Sequence, residues 1–170
     1  GIVPIVEPEV LMDGDHTIDD CFVETEETLQ VVFEELFKQG VLLEGIILKP
    51  NMIISALDCP EQASVEEVAE ATVECFLRVV PAAVQGICFL SGGQSDLVAT
   101  QHLNAMNALG VDLPWRLSFS YGRALQAAAL KAWSGDAAKV SAAQQVFLHR
   151  AKCNGAAAMG KYNEEMEASD

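Results

Sequence analysis

Four short apolar runs recur along this chain, each closed by polar or glycine-rich residues: 1–6 (GIVPIV), 43–48 (LEGIIL), 86–90 (GICFL) and 117–120 (LSFS). Near-continuous apolar runs of this length suit strands of a parallel sheet buried on both faces. Helical patterns fill the intervals. Residues 24–40 set Leu29, Val32, Phe33, Leu36 and Phe37 on one stripe, with acids in the first turns and Gly40 to stop it. Residues 64–80 open on Ser64 with Glu67 three positions later, a capping box, and Val68, Ala71, Thr72, Cys75, Phe76 and Val79 form the apolar face. Residues 95–108, 122–133 and the Ala-rich 137–158 supply three further helices. Alternation of this kind predicts an α/β fold of βαβ units. No linker divides residues 1–158, and the polar stretch 159–170 is expected to be a mobile acidic tail.

The polar residues that close successive runs are Glu7, Lys49, Ser91 and Arg123, at intervals of 42, 42 and 32 residues. A (β/α)8 barrel averages roughly 31 residues per unit, and loop insertions lengthen that. Chemistry in such folds sits at the C-terminal strand ends, which is where these four side chains fall. Only four strands are present.

Charge narrows the partners. The 170 residues carry a formal net charge of −15, all of it within residues 1–85. That argues against polyanions as partners, both nucleic acid and anionic membrane, but not against a small anion that answers to local charge. The longest uncharged stretch, 79–95, is broken by Pro81, Gln85 and Gly86 and is no membrane span. The N-terminus shows neither signal-peptide nor transit-peptide character. Five cysteines lie scattered without a CxxC pair, so neither a disulfide framework nor a metal site is expected, and free thiols suit a reducing compartment.

Lys49 follows the apolar Gly45-Ile46-Ile47-Leu48, and Pro50-Asn51 ends the strand there. Desolvation in such a place disfavours the charged form of an amine, and a neutral amine is what attacks a ketone in Schiff-base chemistry. The same placement suits a lysine that extends its ammonium into water. Glu7 and Glu9 flank Pro8 at the end of the first run; two carboxylates in one pocket can divide proton transfer between them, and they equally suit a solvated acidic loop. Ser91-Gly92-Gly93-Gln94-Ser95 and Ser120-Tyr121-Gly122-Arg123 each join a strand to a helix. Glycines there let backbone N–H groups approach an anion at a helix N-terminus, and the second turn adds a guanidinium. His16, His102 and His149 form no site by spacing, and surface or capping roles are expected of them. Trp115 and Trp133 read as packing residues.

VEPE at 6–9, LLEGIILKPNM at 42–52, FLSGGQS at 89–95 and SFSYGRALQAAALKAW at 118–133 closely resemble, in order and spacing, the C-terminal half of class I fructose-bisphosphate aldolases. The resemblance runs from Gly1 to about Tyr162. It implies a (β/α)8 TIM barrel of which this chain supplies strands five to eight with their helices, a half barrel. It implies that Lys49 forms a Schiff base with the substrate ketone, that Glu7 is the general acid/base, and that Glu9 sits beside the lysine and supports it. Ser91, Gly92, Gly122 and Arg123 would hold the C1 phosphate of fructose 1,6-bisphosphate or dihydroxyacetone phosphate. No cofactor and no metal is implied.

The family draws an aspartate and a second lysine from strands that this sequence does not contain, and a tyrosine from a C-terminal tail that this sequence lacks. Imine formation is expected to survive without them and efficient cleavage is not. Gly1 in place of a start methionine points to an incomplete or processed sequence. The expected partners are a sugar phosphate and either the N-terminal half of the barrel or a second copy, within a family that is commonly homotetrameric. The cytoplasm is the expected compartment, with a plastid as the other option. The competing reading is a sugar-phosphate-binding or scaffold module that keeps the phosphate turns and does not turn over substrate.

Overall fold

The structure, a computed structural model, describes residues 1–168. Strands β1 (Ile5–Val6), β2 (Ile47–Leu48), β3 (Gly86–Phe89) and β4 (Arg116–Phe119) form one sheet in the order β1-β2-β3-β4. Every pairing is parallel. Helices α1 (Ile18–Lys38), α2 (Val65–Val79), α3 (Asp96–Ala108), α4 (Arg123–Trp133) and α5 (Val140–Ala157) complete the alternation.

The first two strands are shorter than their apolar runs. Residues 1–4 lie outside β1, and Leu43–Gly45 form a 3-10 turn before β2. Pro4 has no N–H for a ladder, although its carbonyl still accepts from Ile47 N–H at 3.1 Å. Helix α1 begins earlier than its stripe suggests. Thr17 caps it, with Asp20 returning a bond to the cap N–H, a capping box that moves the start to Ile18. Ser64 and Glu67 cap α2 as expected.

Among the described residues the sheet is covered on one face only, as a half barrel is expected to leave it, although its apolar runs by themselves suit burial on both faces. Leu48, Ile87, Phe89 and Leu117 point into the helical layer and are buried, with Leu29, Phe33, Val68, Phe76, Leu103 and Met106 packed against them. Phe76 and Phe89 stack with ring centroids 5.7 Å apart. Alternation along the strands sends Ile5, Ile47, Lys49, Cys88, Arg116 and Ser118 to the opposite face. That face is open in this chain: Ile5 is 57% exposed.

Residues 160–168, within the stretch 159–170 expected to be a mobile tail, pack against α3 and α5. Tyr162 is buried, its N–H donates to Asn104 Oδ1 at 2.9 Å, and its hydroxyl donates to Glu167 Oε1 at 2.8 Å. Glu167 also pairs with Arg150 of α5. The turn into this segment needs glycine, because Gly160 has φ +64° and a side chain there would meet the Asn107 carbonyl. Ser169 and Asp170, the end of the expected tail, lie outside the described residues. Trp115 packs as expected, its indole N–H donating to Pro81 O at 3.0 Å, whereas Trp133 is 42% exposed along the α4–α5 groove. No helix among the described residues is long and apolar enough to cross a membrane.

Candidate active site

Register brings Glu7 and Lys49 together. Ile5 pairs with Ile47 and Val6 with Leu48, so the next residues of the two strands stand side by side. Lys49 N–H donates to Val6 O at 2.7 Å and holds the two strand ends at one level. Lys49 Nζ then lies 2.9 Å from Glu7 Oε1. The lysine side chain is 21% exposed and the glutamate side chain 47% exposed, so the pair faces the open side of the sheet with the lysine the deeper member. Glu9, expected beside the lysine, forms no ion pair or hydrogen bond among the described residues, and Glu7 occupies that place.

Asn51 fixes the approach of the first loop and was not singled out in the sequence. It is buried at 2% exposure; its Oδ1 accepts from Val10 N–H at 2.9 Å, and its Nδ2 donates to Thr25 Oγ1 at 3.0 Å. One side chain thus links the end of β2, the loop after β1 and helix α1. Further along, Leu57 N–H donates to Met12 O at 2.8 Å, and Met12 presses on Gly92. Gly92 has φ +56°, and a side chain there would collide with the buried Met12.

The two glycine turns converge. Gln94 N–H closes the first turn on Ser91 O at 2.9 Å, and Ser95 caps α3. In the second, Gly122 precedes the first residue of α4, Arg123, whose Nη2 lies 3.8 Å from where a side chain on Gly93 would begin. Tyr121 is buried and donates its hydroxyl to Ala99 O at 2.9 Å, tying the second turn to the first turn of α3. Arg123 is exposed and forms no ion pair or hydrogen bond among the described residues. Ser91 is buried in the turn, and Gly92 is half-exposed. The arrangement offers two helix N-termini and an uncommitted guanidinium to one small anion.

His102 is not the surface residue expected. It is buried behind the first turn, with Nδ1 2.6 Å from Gln94 Oε1. The Gln94 amide directs its N–H to Met52 Sδ, so its oxygen accepts from the imidazole. Gln94 and His102 are eight residues apart, and only the fold of the turn onto α3 joins them. Burial pushes the imidazole down to about 4 from 6.5. Between those values the unfolded chain takes up a proton that the folded imidazole refuses. Stability is therefore present above pH 6.5 and lost as pH falls through about 4, by up to about 1.4 kcal/mol per pH unit. Urea midpoints measured across this window should fall with acid in the native chain and fall less in His102→Gln; equal slopes would remove His102 from the account.

A family model described as fructose-bisphosphate aldolase class-I matches residues 1–170. The chain is 59% identical over 163 residues to a probable fructose-bisphosphate aldolase class 1 of Xanthomonas campestris pv. campestris, a match covering 95% of this chain and 48% of that protein. It is 53% identical over 165 residues to a fructose-bisphosphate aldolase of Dictyostelium discoideum, covering 97% of this chain and 46% of that one. Among solved structures, the Plasmodium falciparum fructose-bisphosphate aldolase, in complex with TRAP and a small molecule inhibitor, superposes with a TM-score of 0.93 at 49% identity. That match covers 95% of this chain and 46% of the other. The chain spans about half the length of the curated relatives it matches.

Proposed function

Because this chain belongs to the class I fructose-bisphosphate aldolase family, we propose that it carries the imine-forming half of the barrel and acts on fructose 1,6-bisphosphate through Lys49. Its four βα units are half of a (β/α)8 TIM barrel, matched over 46% of a solved family member. The observation that carries the proposal is the Lys49–Glu7 pair at the C-terminal ends of adjacent strands. Lys49 Nζ adds to the substrate C2 ketone, and Glu7 returns a proton to the carbinolamine hydroxyl, which leaves as water. The protonated imine then accepts the electron pair of the C3–C4 bond as an enamine, while the C4 hydroxyl gives up its proton to a base. Glyceraldehyde 3-phosphate departs, and protonation of the enamine at C3 followed by hydrolysis releases dihydroxyacetone phosphate. The convergent turns at Ser91, Gly92, Gly122 and Arg123 supply the C1 phosphate grip.

The test is reductive trapping. Borohydride added to the chain with dihydroxyacetone phosphate should leave one reduced adduct, located on Lys49 by peptide mass. A folded chain that binds phosphate yet traps nothing would be the sugar-phosphate-binding module instead.

The open sheet face and the strand edges at β1 and β4 form the seat for the N-terminal half or for a second copy. Mixing the chain with the N-terminal half of a relative should raise cleavage from background to a measurable rate. Full cleavage by the chain alone would overturn this division of labour. Five free cysteines fit a reducing compartment, the cytoplasm or a plastid.

A further inference from the structure

Helix α5 carries His149 and Cys153 four residues apart, so their side chains lie one above the other on one face. The 3-10 turn Glu164–Ala168 brings a third donor, Glu167, to the same spot. His149 Nε2 is 3.7 Å from Cys153 Sγ and 3.7 Å from Glu167 Oε2. The three donor atoms all lie within 4.8 Å of one another. Zn–S distances of ~2.3 Å and Zn–N or Zn–O distances of ~2.0–2.2 Å set tetrahedral ligand atoms about 3.3–3.6 Å apart. Two edges of the trio already stand within a few tenths of an ångström of that spacing, and the third needs at most about 1.2 Å of closure.

The surroundings leave one Glu167 oxygen turned to the imidazole. Glu167 divides its oxygens: Oε1 receives Tyr162 and Arg150, and Oε2 faces the imidazole. Arg150 is itself held between Glu167 and Asp96, the latter 4.0 Å away, so its charge is answered from two sides. His149 and Glu167 keep 32% and 27% of their side-chain surface exposed, which gives an ion a path in and leaves room for water. Cys153 closes the site from the buried side.

We propose that His149, Cys153 and Glu167 form a site for a divalent ion of the zinc class, with water as the fourth ligand. The mixed N, S and O donor set selects a borderline-soft ion over magnesium or calcium, which take oxygen ligands. On binding, Cys153 releases its thiol proton to solvent and coordinates as the thiolate, while His149 binds through a neutral Nε2. The ion fastens Glu164–Ala168 to α5. Through Arg150 and Asp96 that contact reaches the first residue of α3, the helix that follows the Ser91-Gly92-Gly93 turn. The site departs from the expectation of no metal and stands independently of the Lys49 chemistry.

Co2+ serves as the spectroscopic probe for the full chain, under reducing conditions and without chelator. One equivalent should bind, with tetrahedral visible absorption and a thiolate-to-cobalt charge-transfer band, and Zn2+ should displace it and raise the melting temperature. Cys153→Ser should lose the band. His149→Gln and Glu167→Gln should each weaken Zn2+ binding by more than the roughly 10–100-fold that changes to outer-shell groups cost. Circular dichroism and melting without metal separate loss of the site from loss of the fold, since Glu167→Gln also alters the Arg150 pair. Absence of Co2+ binding by the folded chain at equimolar metal overturns the proposal. So does an unchanged band in Cys153→Ser, which would place the ion on Cys21, Cys59, Cys75 or Cys88.

Discussion

Lys49→Met should abolish the borohydride-trapped adduct with dihydroxyacetone phosphate and, in the completed barrel, lower cleavage by roughly 10^4–10^6-fold, the scale on which removal of a nucleophile acts. The fold should tolerate the change. The backbone bond from residue 49 to Val6 O is untouched, and methionine fills the space of the lysine stem beside β1. Lys49→Arg is the sharper variant. Arginine keeps the positive charge and a partner for Glu7, but its guanidinium does not form an imine. If charge alone held the substrate, Lys49→Arg would retain most of the turnover. If nucleophilic attack by the amine is the step, both variants are equally inert while still binding inorganic phosphate at the paired turns. An adduct of undiminished yield on a different lysine would remove Lys49 from the reaction.

Glu7→Gln is expected to slow accumulation of the trapped adduct by roughly 10^2–10^4-fold, the usual range for a positioned general acid or base. Glutamine retains the size of the side chain and an oxygen that accepts from Lys49, so the geometry of the pair is largely kept. What it cannot do is exchange a proton with the carbinolamine hydroxyl. The deficit should therefore appear in the rate of imine formation and leave phosphate affinity alone. Glu9→Gln provides the contrast: Glu9 makes no ion pair with the lysine, and the effect there should be well below that at Glu7. A larger loss at Glu9 than at Glu7 would reverse the assignment of the acid/base.

The strands and the residues that close them were legible because the signals are local. An apolar run, a turn residue and a capping box each declare themselves within a few positions. The Lys49–Glu7 pairing was also within reach, since strand ends in a parallel sheet align once the runs are recognised. The place of Glu9 was not. Strand β1 ends at Val6, and past it the chain follows Asn51, which binds Val10, so sheet alternation no longer governs where a side chain points. Gln94 with His102, Met12 with Gly92, and Glu167 with Arg150 were hidden for a related reason. Each is a meeting of residues from different elements or turns, decided by packing that no single segment encodes. The polar composition of 159–168 concealed one buried tyrosine, Tyr162, whose N–H and hydroxyl bond to Asn104 and Glu167. The open side of the sheet followed from the resemblance to half a barrel; the apolar runs by themselves report what a strand needs covered, and not which part of the chain covers it.

The strand order β1-β2-β3-β4 has a bearing on how the molecule is made. Each of β2, β3 and β4 pairs with the strand synthesised just before it, so these three pairings wait for no distant segment. A chain emerging from its N-terminus can add one βα unit at a time to an existing edge. Among these four strands, the ammonium of Lys49 meets the carboxylate of Glu7 when β2 joins β1, before either glycine turn has formed. The reactive amine meets its proton partner before the two turns proposed as the anion grip are made.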